Sequence, residues 1–368
     1  MTDKKKKILV IAGARPNFMK IAPLLREFRK YKTRFRVNLV HTGQHYDSRM
    51  SDVFFRDLGM SMPDIYLGVG SGSQAVQTAN LMTAFEKVLI KERPEWIVVV
   101  GDVNSTLACS LVASKLNVKV AHVEAGLRSF DRTMPEEINR VVTDSLSDAL
   151  FVSEQSGLVN LKKEGVAKSK VFFTGNVMID TLLYQMPKIE KSDILSNLKI
   201  TPGEYGVLTL HRPGNVDEKK SLMEIHKIIR AITSRITLVY AMHPRTKKMI
   251  GEHGLNRFFS EIKNLITIEP LGYIDFIKLV KHSAFVLTDS GGIQEETTVL
   301  KIPCLTMREN TERPVTIKEG TNILVGRDPS KIIRAFGGIL KGKNKRGKTP
   351  GFWDGQAARR IVKIMAGF

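Results

Sequence analysis

Three acidic groups in the first half of the chain follow apolar runs or turns, where acid–base chemistry would use them. Asp102 comes after the run Val98–Val100, Glu124 directly continues the run Val118–His122, and Pro135–Glu137 opens a predicted helix. A helix cap would account for Asp102, and a favourable charge on a helix dipole would account for the two glutamates. An unpaired carboxylate at Glu124 is costly unless it faces a cleft. Three carboxylates on neighbouring loops are typical of proton-transfer sites.

An anion-binding pattern occurs in the second half of the chain. In the segment LTDSGGIQEE a predicted strand leads through Ser290–Gly292 into a helix, whose first backbone N–H groups would face a phosphate. Glu295 or Glu296, one turn further on, either accepts ribose hydroxyls or is only a charge favoured by the helix dipole. Arg313, in the segment TERP, is a further candidate anion contact.

Basic and imidazole side chains follow other predicted strands. Arg15 and Lys20 lie roughly one helical turn apart after the first apolar run, where they would either hold a phosphate or face water. His211 and Arg212 come just past a strand-like run, and this position favours a functional role for His211. A lone histidine such as His243, in the segment YAMHPR, is more often structural than catalytic.

Fingerprints of common cofactors are missing from the sequence. Neither Gly13–Asn17 nor the segment LGVGSGS at 67–73 has the glycine spacing of a dinucleotide-binding turn, and no P-loop occurs. We therefore expect no cofactor, no tight NAD binding and no ATP hydrolysis. The two cysteines, Cys109 and Cys304, are predicted to be reduced core thiols, because a disulfide framework or metal site needs more ligands.

Composition limits the class of protein. The chain has 368 residues, 42% hydrophobic and 26% charged, which predicts two folded domains and excludes wholesale disorder. No apolar run approaches the roughly 20 residues of a membrane span, and Ile8–Ala12 is too short for a signal peptide, so we expect a cytoplasmic protein. The net charge of +20 favours phosphorylated small molecules as partners; no recognisable nucleic-acid module is present.

Short apolar runs alternate with amphipathic stretches along most of the chain, which predicts parallel sheets covered by helices. The predicted strands of the first half are Lys7–Ala12, Val37–His41, Trp96–Val100, Val118–His122, Ala149–Val152 and Val171–Phe173. The alternation lapses at Met186–Glu204 and restarts with Val207–Leu210, Ile236–Ala241, Leu265–Ile268, Phe285–Thr288 and Ile302–Thr306. In such sheets ligands bind beyond the carboxyl ends of the strands.

This alternation predicts two Rossmann-like domains. We place the first at residues 1–175 and the second at residues 176–350. We expect a final helix within 351–368 to pack on either domain, and we assign it to the first.

Nine segments, in order from Gly13 to Arg313, resemble one family. They are GARPNFMK, TGQH, GDVNST, HVEAGLRS, MPEEINR, GNVMID, LHRPGN, TDSGGIQEE and TERP. The family is that of the UDP-N-acetylglucosamine 2-epimerases, in its non-hydrolysing bacterial and archaeal form. The resemblance implies a glycosyltransferase-B-like α/β fold of two doubly wound parallel-sheet domains with the active site in the interdomain cleft. It also implies that the first domain carries the sugar and catalytic side, that the second binds UDP, and that the protein is a homodimer without cofactor.

The resemblance further implies a reaction and a set of residues. The reaction is reversible C2 epimerisation of UDP-N-acetylglucosamine to UDP-N-acetylmannosamine, by anti elimination of UDP to 2-acetamidoglucal and re-addition, for surface polysaccharide precursors. The implied catalytic set is Asp102, Glu124, Glu136 and His211. The implied UDP-binding set is Arg15, Lys20, Phe276, Ser290, Gly291, Gly292, Glu296 and Arg313. Candidates for allosteric or sugar contacts are Gln44, His45, Arg212 and His243.

Some features depart from the family pattern. Many members begin with GTRPE where this chain has GARPN, and the stretch Tyr66–Gln77 lacks the arginine that several members use to bind an activating second UDP-sugar. Relatives of similar motif style act on UDP-2,3-diacetamido-2,3-dideoxy-glucuronate, so that sugar is the alternative substrate. The sequence also leaves open a hydrolysing epimerase that releases N-acetylmannosamine and UDP, a retaining glycosyltransferase, and a non-catalytic basic binder of nucleotide sugars or nucleic acid.

Overall fold

Two parallel sheets organise the protein, for which the computed structural model describes residues 5–13, 15–43 and 55–368. Each sheet belongs to its own compact unit. The first unit comprises Met1–Tyr184 together with Gly351–Phe368, and the second comprises Gln185–Pro350. The prediction of two doubly wound parallel-sheet α/β domains is therefore confirmed.

The first unit is built on a seven-stranded parallel sheet. Its strands are β1 (Lys6–Ala12), β2 (Phe35–His41), β3 (Ile65–Tyr66), β4 (Trp96–Val100), β5 (Lys119–Ala125), β6 (Ala149–Val152) and β7 (Val171–Phe173). They lie in the order β3-β2-β1-β4-β5-β6-β7. All five residues of β4 are buried, as expected for an apolar parallel strand covered on both faces.

Helices pack against this sheet. They are α1 (Arg15–Phe28), α2 (Gln74–Glu92), α3 (Asn104–Lys115), α4 (Pro135–Leu146), α5 (Gln155–Lys163) and α6 (Val177–Glu190), which continues into the second unit. Short 3₁₀ turns occur at Arg29–Tyr31 and Lys168–Lys170. One core cluster joins β1, β4, α2 and α3, and Cys109 is buried within it.

The second unit repeats the arrangement with six parallel strands. They are β8 (Tyr205–Thr209), β9 (Thr237–Ala241), β10 (Leu265–Ile268), β11 (Phe285–Thr288), β12 (Cys304–Thr306) and β13 (Asn322–Leu324), in the order β10-β9-β8-β11-β12-β13. Its helices are α7 (Ile194–Asn197), α8 (Pro213–Val216), α9 (Lys219–Thr233), α10 (Pro244–Glu252), α11 (Asn256–Ser260), α12 (Tyr273–Lys281), α13 (Gly291–Leu300), α14 (Pro314–Lys318) and α15 (Pro329–Leu340).

Each sheet has a switch point where the strand order reverses. In the first sheet this point lies between β1 and β4, and in the second it lies between β8 and β11. The carboxyl ends of the strands on either side of a switch point form the usual ligand crevice of such sheets. Asp102 follows β4, His211 follows β8 and Ser290 follows β11, so these candidate residues lie where that rule places a ligand.

The C-terminal segment Gly351–Phe368 belongs to the first unit and ends in helix α16 (Ala357–Met365). The Trp353 indole N–H donates to the Ser153 carbonyl at 2.9 Å. Asp180 on α6 accepts the first backbone N–H groups of α16, those of Ala357 at 3.1 Å and Ala358 at 2.7 Å. Burial raises the pKa of Asp180 to about 6 although the two amides oppose the rise. Asp180 therefore acts as the cap of α16 from another helix.

Within the described ranges, no helix is both long enough and apolar enough to cross a membrane.

We expect Asp180→Ala to lower the free energy of unfolding by about 1–2 kcal/mol, the usual loss when a helix cap is removed. Urea unfolding at pH 8 measures the loss, and amide hydrogen exchange should show faster exchange across Ala357–Met365. The control is Asp193→Ala, because Asp193 precedes α7 without a side-chain capping bond. Equal losses in the two variants would contradict the capping role.

Candidate active site

One side chain joins the ends of β1 and β4 at the switch point of the first sheet. The Asn17 Oδ1 accepts the Gly13 backbone N–H at 3.2 Å, and the Asn17 Nδ2 donates to the Val100 carbonyl at 2.9 Å. Gly13 follows β1 and Val100 ends β4, so Asn17 fixes the spacing of the two strand ends. The turn Gly101–Asp102 leaves β4 at this position.

Lys20 and Glu124 form a buried ion pair against the Gly101 turn. Both side chains are more than nine-tenths buried. A Cβ atom at Gly101 would lie 3.2 Å from the Lys20 Nζ and 3.3 Å from the Glu124 Oε2, and Gly101 has a φ of +70°. Close approach and backbone conformation therefore both favour glycine here. The carboxylate that sequence analysis singled out as costly has a buried cation as its partner.

Glu124 itself has an unusual backbone. Its φ is +71°, and the pairing of β5 with β6 shifts register between Val123 and Ala125. A left-handed conformation costs a non-glycine residue about 1–2 kcal/mol. Bulges of this kind re-aim a side chain and are common beside functional sites. Here the bulge directs the Glu124 carboxylate to Lys20 on α1.

Asp102 is held from the side of α4. The Arg140 guanidinium donates to the carboxylates of both Asp102 and Glu137, and the Asn139 Nδ2 donates to the Asp102 carbonyl at 2.9 Å. The Arg140 side chain is 3% exposed, whereas that of Asp102 is 26% exposed. A fixed, buried cation therefore orients a carboxylate that a ligand can still reach.

The two neighbouring glutamates at the start of α4 have different environments. Glu137 is buried and accepts the backbone N–H groups of Ser129 and Phe130, each at 2.9 Å. Glu136 is exposed on the same turn of the helix. Glu137 is thus occupied in fixing the loop after β5, and Glu136 is the glutamate accessible to a ligand.

Asp289 organises the switch point of the second sheet. It accepts the backbone N–H groups of His211 at 3.0 Å and Arg212 at 2.9 Å, and the Asn215 Nδ2 at 3.0 Å. Its Oδ1 lies 2.9 Å from the His211 Nδ1. Burial alone would raise the pKa of Asp289, but the bonds from His211, Asn215 and Arg212 lower it to about 2. Because the Asp289 carboxylate accepts a hydrogen bond from Nδ1, the proton lies on that nitrogen. The Nε2 of the half-exposed His211 ring is then left for a ligand.

The glycine-rich turn after β11 leads directly into α13. Ser290 precedes the helix in an extended conformation and makes no side-chain capping bond. A Cβ atom at Gly291 would lie 2.7 Å from the Glu312 Oε1 and 2.8 Å from the Arg313 Nη1. The first turn of α13 therefore combines backbone N–H donors with a nearby guanidinium, as an anion site requires.

Two buried glutamates follow on α13. The Glu295 Oε1 lies 2.9 Å from the Arg313 Nε, and Arg313 also donates to Glu312. Burial raises the pKa of Glu296 to about 8, the negative charge of Glu295 adds to the rise, and the Tyr273 hydroxyl opposes it. Glu295 is thus a paired carboxylate, whereas Glu296 is neutral at pH 7.

The remaining candidates are less closely tied to these two groups. Phe276 on α12 is half-buried and packs against a core cluster of the second unit. The His243 ring centroid lies 5.5 Å from that of His211, and the Arg212 Nε donates to the Asp289 carbonyl at 3.1 Å. Gln44, His45 and the Arg15 side chain fall outside the described part of the protein. In the part that is described, no three His, Cys, Asp or Glu side chains form a cluster able to hold a metal.

Sequence analysis missed the residues that hold the candidate carboxylates. Arg140 lies three residues after Glu137, and this helical spacing is a signal that would have predicted the pair. Asp289 directly precedes the SGG turn but was not singled out. His122, which lies 2.6 Å from Asp144, has no sequence signal for its partner because 22 residues separate the two.

Comparisons with known proteins agree in their result. Residues 27–366 match the family model described as UDP-N-acetylglucosamine 2-epimerase. A Methanocaldococcus jannaschii UDP-N-acetylglucosamine 2-epimerase is 43% identical over 364 residues, 98% of each chain. A Pseudomonas aeruginosa UDP-2,3-diacetamido-2,3-dideoxy-D-glucuronate 2-epimerase is 38% identical over 363 residues, 98% of this chain and 99% of that one.

A solved structure is similar over the whole length. The crystal structure of the Methanocaldococcus jannaschii UDP-GlcNAc 2-epimerase in complex with UDP-GlcNAc and UDP has a TM-score of 0.92 at 42% identity. The match covers 98% of this chain and all of that one. With the strand orders above, this similarity confirms the predicted glycosyltransferase-B-like fold class.

We expect Glu296→Gln to change how stability depends on pH. Because folding raises the pKa of Glu296 from 4.5 to about 8, its contribution to stability is full below pH 4.5 and is lost as pH rises towards 8. Glutamine stays neutral. The unfolding free energy of the variant, relative to that of the native protein, should therefore increase between pH 5 and pH 8. The expected gain exceeds about 1.4 kcal/mol, the equivalent of one pKa unit.

Urea unfolding at the two pH values measures this difference. The control is Glu204→Gln, an exposed glutamate in the same unit. A constant difference between native protein and Glu296→Gln across the range would show that Glu296 is ionised in the folded state.

Proposed function

Because this chain belongs to the UDP-N-acetylglucosamine 2-epimerase family, we propose that it interconverts UDP-N-acetylglucosamine and UDP-N-acetylmannosamine. The observation that carries the proposal is the position of two chemically distinct groups at the two switch points. The first unit has carboxylates held by buried cations, and the second has a helix N-terminus with a guanidinium beside it. The full-length similarity to an enzyme crystallised with UDP-GlcNAc and UDP supports the substrate class.

The proposed reaction proceeds by elimination and re-addition. A base removes the C2 proton, the C2–H electron pair forms the C1–C2 double bond of 2-acetamidoglucal, and UDP leaves with the C1–O electron pair. Return of UDP to C1 with delivery of a proton to the opposite face of C2 gives the epimer. The C2 proton is not acidic, so its removal needs a positioned base and stabilised departure of the diphosphate.

We assign proton transfer to the catalytic set Asp102, Glu124, Glu136 and His211, and leave open which member is base and which is acid. Several features support this set. The Glu124 carboxylate is fixed by Lys20, and that of Asp102 is fixed by Arg140 while still a quarter exposed. Asp289 orients His211 and leaves its Nε2 to a ligand. Fixed charges of this kind need little reorganisation during reaction.

We assign UDP binding to the first turn of α13 and the residues around it. The backbone N–H groups of Gly291 and Gly292 would hold the diphosphate, with Ser290 beside them and Arg313 adding a positive charge. The Ser290 backbone N–H itself donates to the Thr288 hydroxyl at 3.0 Å. Glu296, one turn later, would bind ribose hydroxyls. The assigned set also keeps Arg15, Lys20 and Phe276. Of these, Lys20 already pairs with Glu124, so its positive charge would serve the carboxylate as well as the leaving group.

One specific observation favours a second substrate. The Pseudomonas relative, described as a UDP-2,3-diacetamido-2,3-dideoxy-D-glucuronate 2-epimerase, matches this chain over almost the whole length of both. The same elimination serves that sugar, since both substrates carry an acetamido group at C2 and UDP at C1. We further propose that the enzyme is a homodimer, as the family resemblance implies, and that it works in the cytoplasm, as the sequence analysis predicts.

Proton NMR of the purified protein with UDP-N-acetylglucosamine in deuterated water tests the proposal. We expect deuterium at C2 together with UDP-N-acetylmannosamine signals, because the proton removed from C2 exchanges with solvent before re-addition. The control is Glu124→Gln, which should lose the exchange while its affinity for UDP, measured by calorimetry, stays within a few-fold of the native value.

The other possible outcomes of the NMR experiment would each lead to a different conclusion. Free N-acetylmannosamine with UDP would contradict the non-hydrolysing reaction. Exchange only with the diacetamido-glucuronate would establish the second substrate, and exchange with neither sugar would reject the epimerase proposal.

Gly291→Ala tests the proposed diphosphate site. Its new Cβ would displace the Glu312 and Arg313 groups that lie within 2.8 Å of that position. We expect UDP affinity to fall by at least about 10-fold, or ~1.4 kcal/mol, measured by calorimetry. The matched control is Gly337→Ala on α15, where no described atom lies within 4 Å of the added Cβ. Equal UDP affinities in the two variants would remove the first turn of α13 from the binding site.

A further inference from the structure

His122 lies behind the turn that carries Asp102. Its side chain is completely buried on β5, two residues before Glu124. The ring Nε2 lies 2.8 Å from the Gly101 carbonyl oxygen. The Gly101 backbone N–H donates in turn to the Val123 carbonyl at 3.0 Å. Both polar groups of Gly101 are thus held by β5, and Asp102 is the next residue along the chain.

Each nitrogen of the His122 ring has a buried oxygen atom as its partner. A carbonyl oxygen only accepts hydrogen bonds, so Nε2 must carry a proton to bond Gly101. Nδ1 lies 2.6 Å from the Asp144 Oδ1, and the other Asp144 oxygen accepts the Arg128 Nη1 at 2.7 Å and the Gly126 backbone N–H at 3.0 Å. Burial would raise the pKa of Asp144, but His122 and Arg128 hold it below its usual value. Both ring nitrogens therefore face groups that accept hydrogen bonds, the Gly101 carbonyl and the Asp144 carboxylate.

The His122 ring is linked to every element that carries a candidate carboxylate of the first unit. Glu124 is on β5 with His122, and Asp102 follows the Gly101 carbonyl that His122 bonds. Glu136 is on α4, the helix that supplies Asp144. The same helix supplies Arg140, which holds the Asp102 carboxylate. A displacement of α4 relative to β5 would therefore move Asp102 and Glu136 together.

We propose that His122, as a doubly protonated imidazolium, is a positioning residue that keeps Asp102 and helix α4 in register with Glu124. The inference rests on the proposed function, because the positioning of these groups affects the rate of proton transfer at C2. His122 does not touch the substrate in this role; it acts through the Gly101 carbonyl and the Asp144 carboxylate.

His122→Gln tests the proposal through the separate values of kcat and KM. The two N–H donors of glutamine share one nitrogen atom, so they cannot replace the two separate ring nitrogens that face Gly101 and Asp144. We expect kcat for C2 deuterium exchange to fall by about 10²-fold, as small misplacements of catalytic groups do, with KM for UDP-N-acetylglucosamine within about 3-fold. UDP affinity, which in our assignment depends chiefly on the first turn of α13, should be unchanged.

The matched control is His226→Gln in the second unit. His226 is also buried, and its Nε2 lies 3.1 Å from a backbone carbonyl, that of Phe258. It has no place in the proposed catalytic or binding sets, so kcat should stay at the native value. An unchanged kcat in His122→Gln, or a fall matched by the control, would overturn the positioning role.

A measurement on the native protein covers the case in which His122→Gln does not fold. With ¹⁵N-labelled histidine, NMR at neutral pH should show one of the eight histidines with protons on both ring nitrogens, assigned to His122 by its proximity to Gly101. An unprotonated nitrogen in that ring would overturn the proposal. If the native protein exchanged no C2 proton with either UDP-sugar, the proposed function would fail, and the positioning role for proton transfer would fail with it.

Discussion

The first unit depends on one constraint, which is that a charge removed from water must have a partner of opposite charge or several hydrogen bonds. Glu124 has Lys20, Glu137 has Arg140, and Asp144 has Arg128. The first of these pairs ties helix α1 to strand β5. The third ties helix α4 to the loop that follows that strand. The pairs therefore place the helices against the carboxyl edge of the sheet, where apolar packing alone leaves more freedom.

The same constraint explains why an unfavourable backbone is retained at Glu124. With a φ of +71° the residue has a conformational cost, and the bulge interrupts the regular pairing of β5 with β6. In return the carboxylate reaches a buried ammonium group and lies against the Gly101 turn. Strained residues of this kind persist where the surroundings over-determine them, which is common at functional sites. The ion pair and its neighbours supply those surroundings.

Much of the fold could be predicted from the sequence because buried parallel strands are continuous apolar runs. The predicted bounds of Trp96–Val100, Ala149–Val152, Val171–Phe173, Leu265–Ile268 and Phe285–Thr288 match the structure. Strands β3 and β13 were missed, since two or three residues are too few to show a recognisable pattern of apolar residues. The strand β5 was predicted to end at His122, but it continues to Ala125 because the bulge accommodates a charged residue within it.

The candidate site was less predictable than the fold. Asp102, Glu124, His211 and the SGG turn could be singled out because they follow predicted strands. Parallel strands bring their carboxyl ends to one edge of the sheet, where ligands bind. Pairings across the sheet, such as those of Lys20 with Glu124 and His122 with Asp144, depend on which elements become neighbours. That information is absent from local patterns. Environment also separates adjacent residues of one type, as it does for the buried Glu137 and the exposed Glu136.

Acidic residues beside an anion site present an electrostatic problem, since carboxylates would repel a diphosphate. The second unit avoids this in two ways. Glu295 is paired with Arg313, and Glu312 is paired with both Arg313 and Arg308, so two guanidinium groups balance the two carboxylates. Glu296 has no such cation among the described residues, and burial keeps it protonated at neutral pH. A neutral carboxyl group retains a hydrogen-bonding role without opposing the ligand's charge. Cation pairing and burial thus make an acidic helix start compatible with the diphosphate site that we propose.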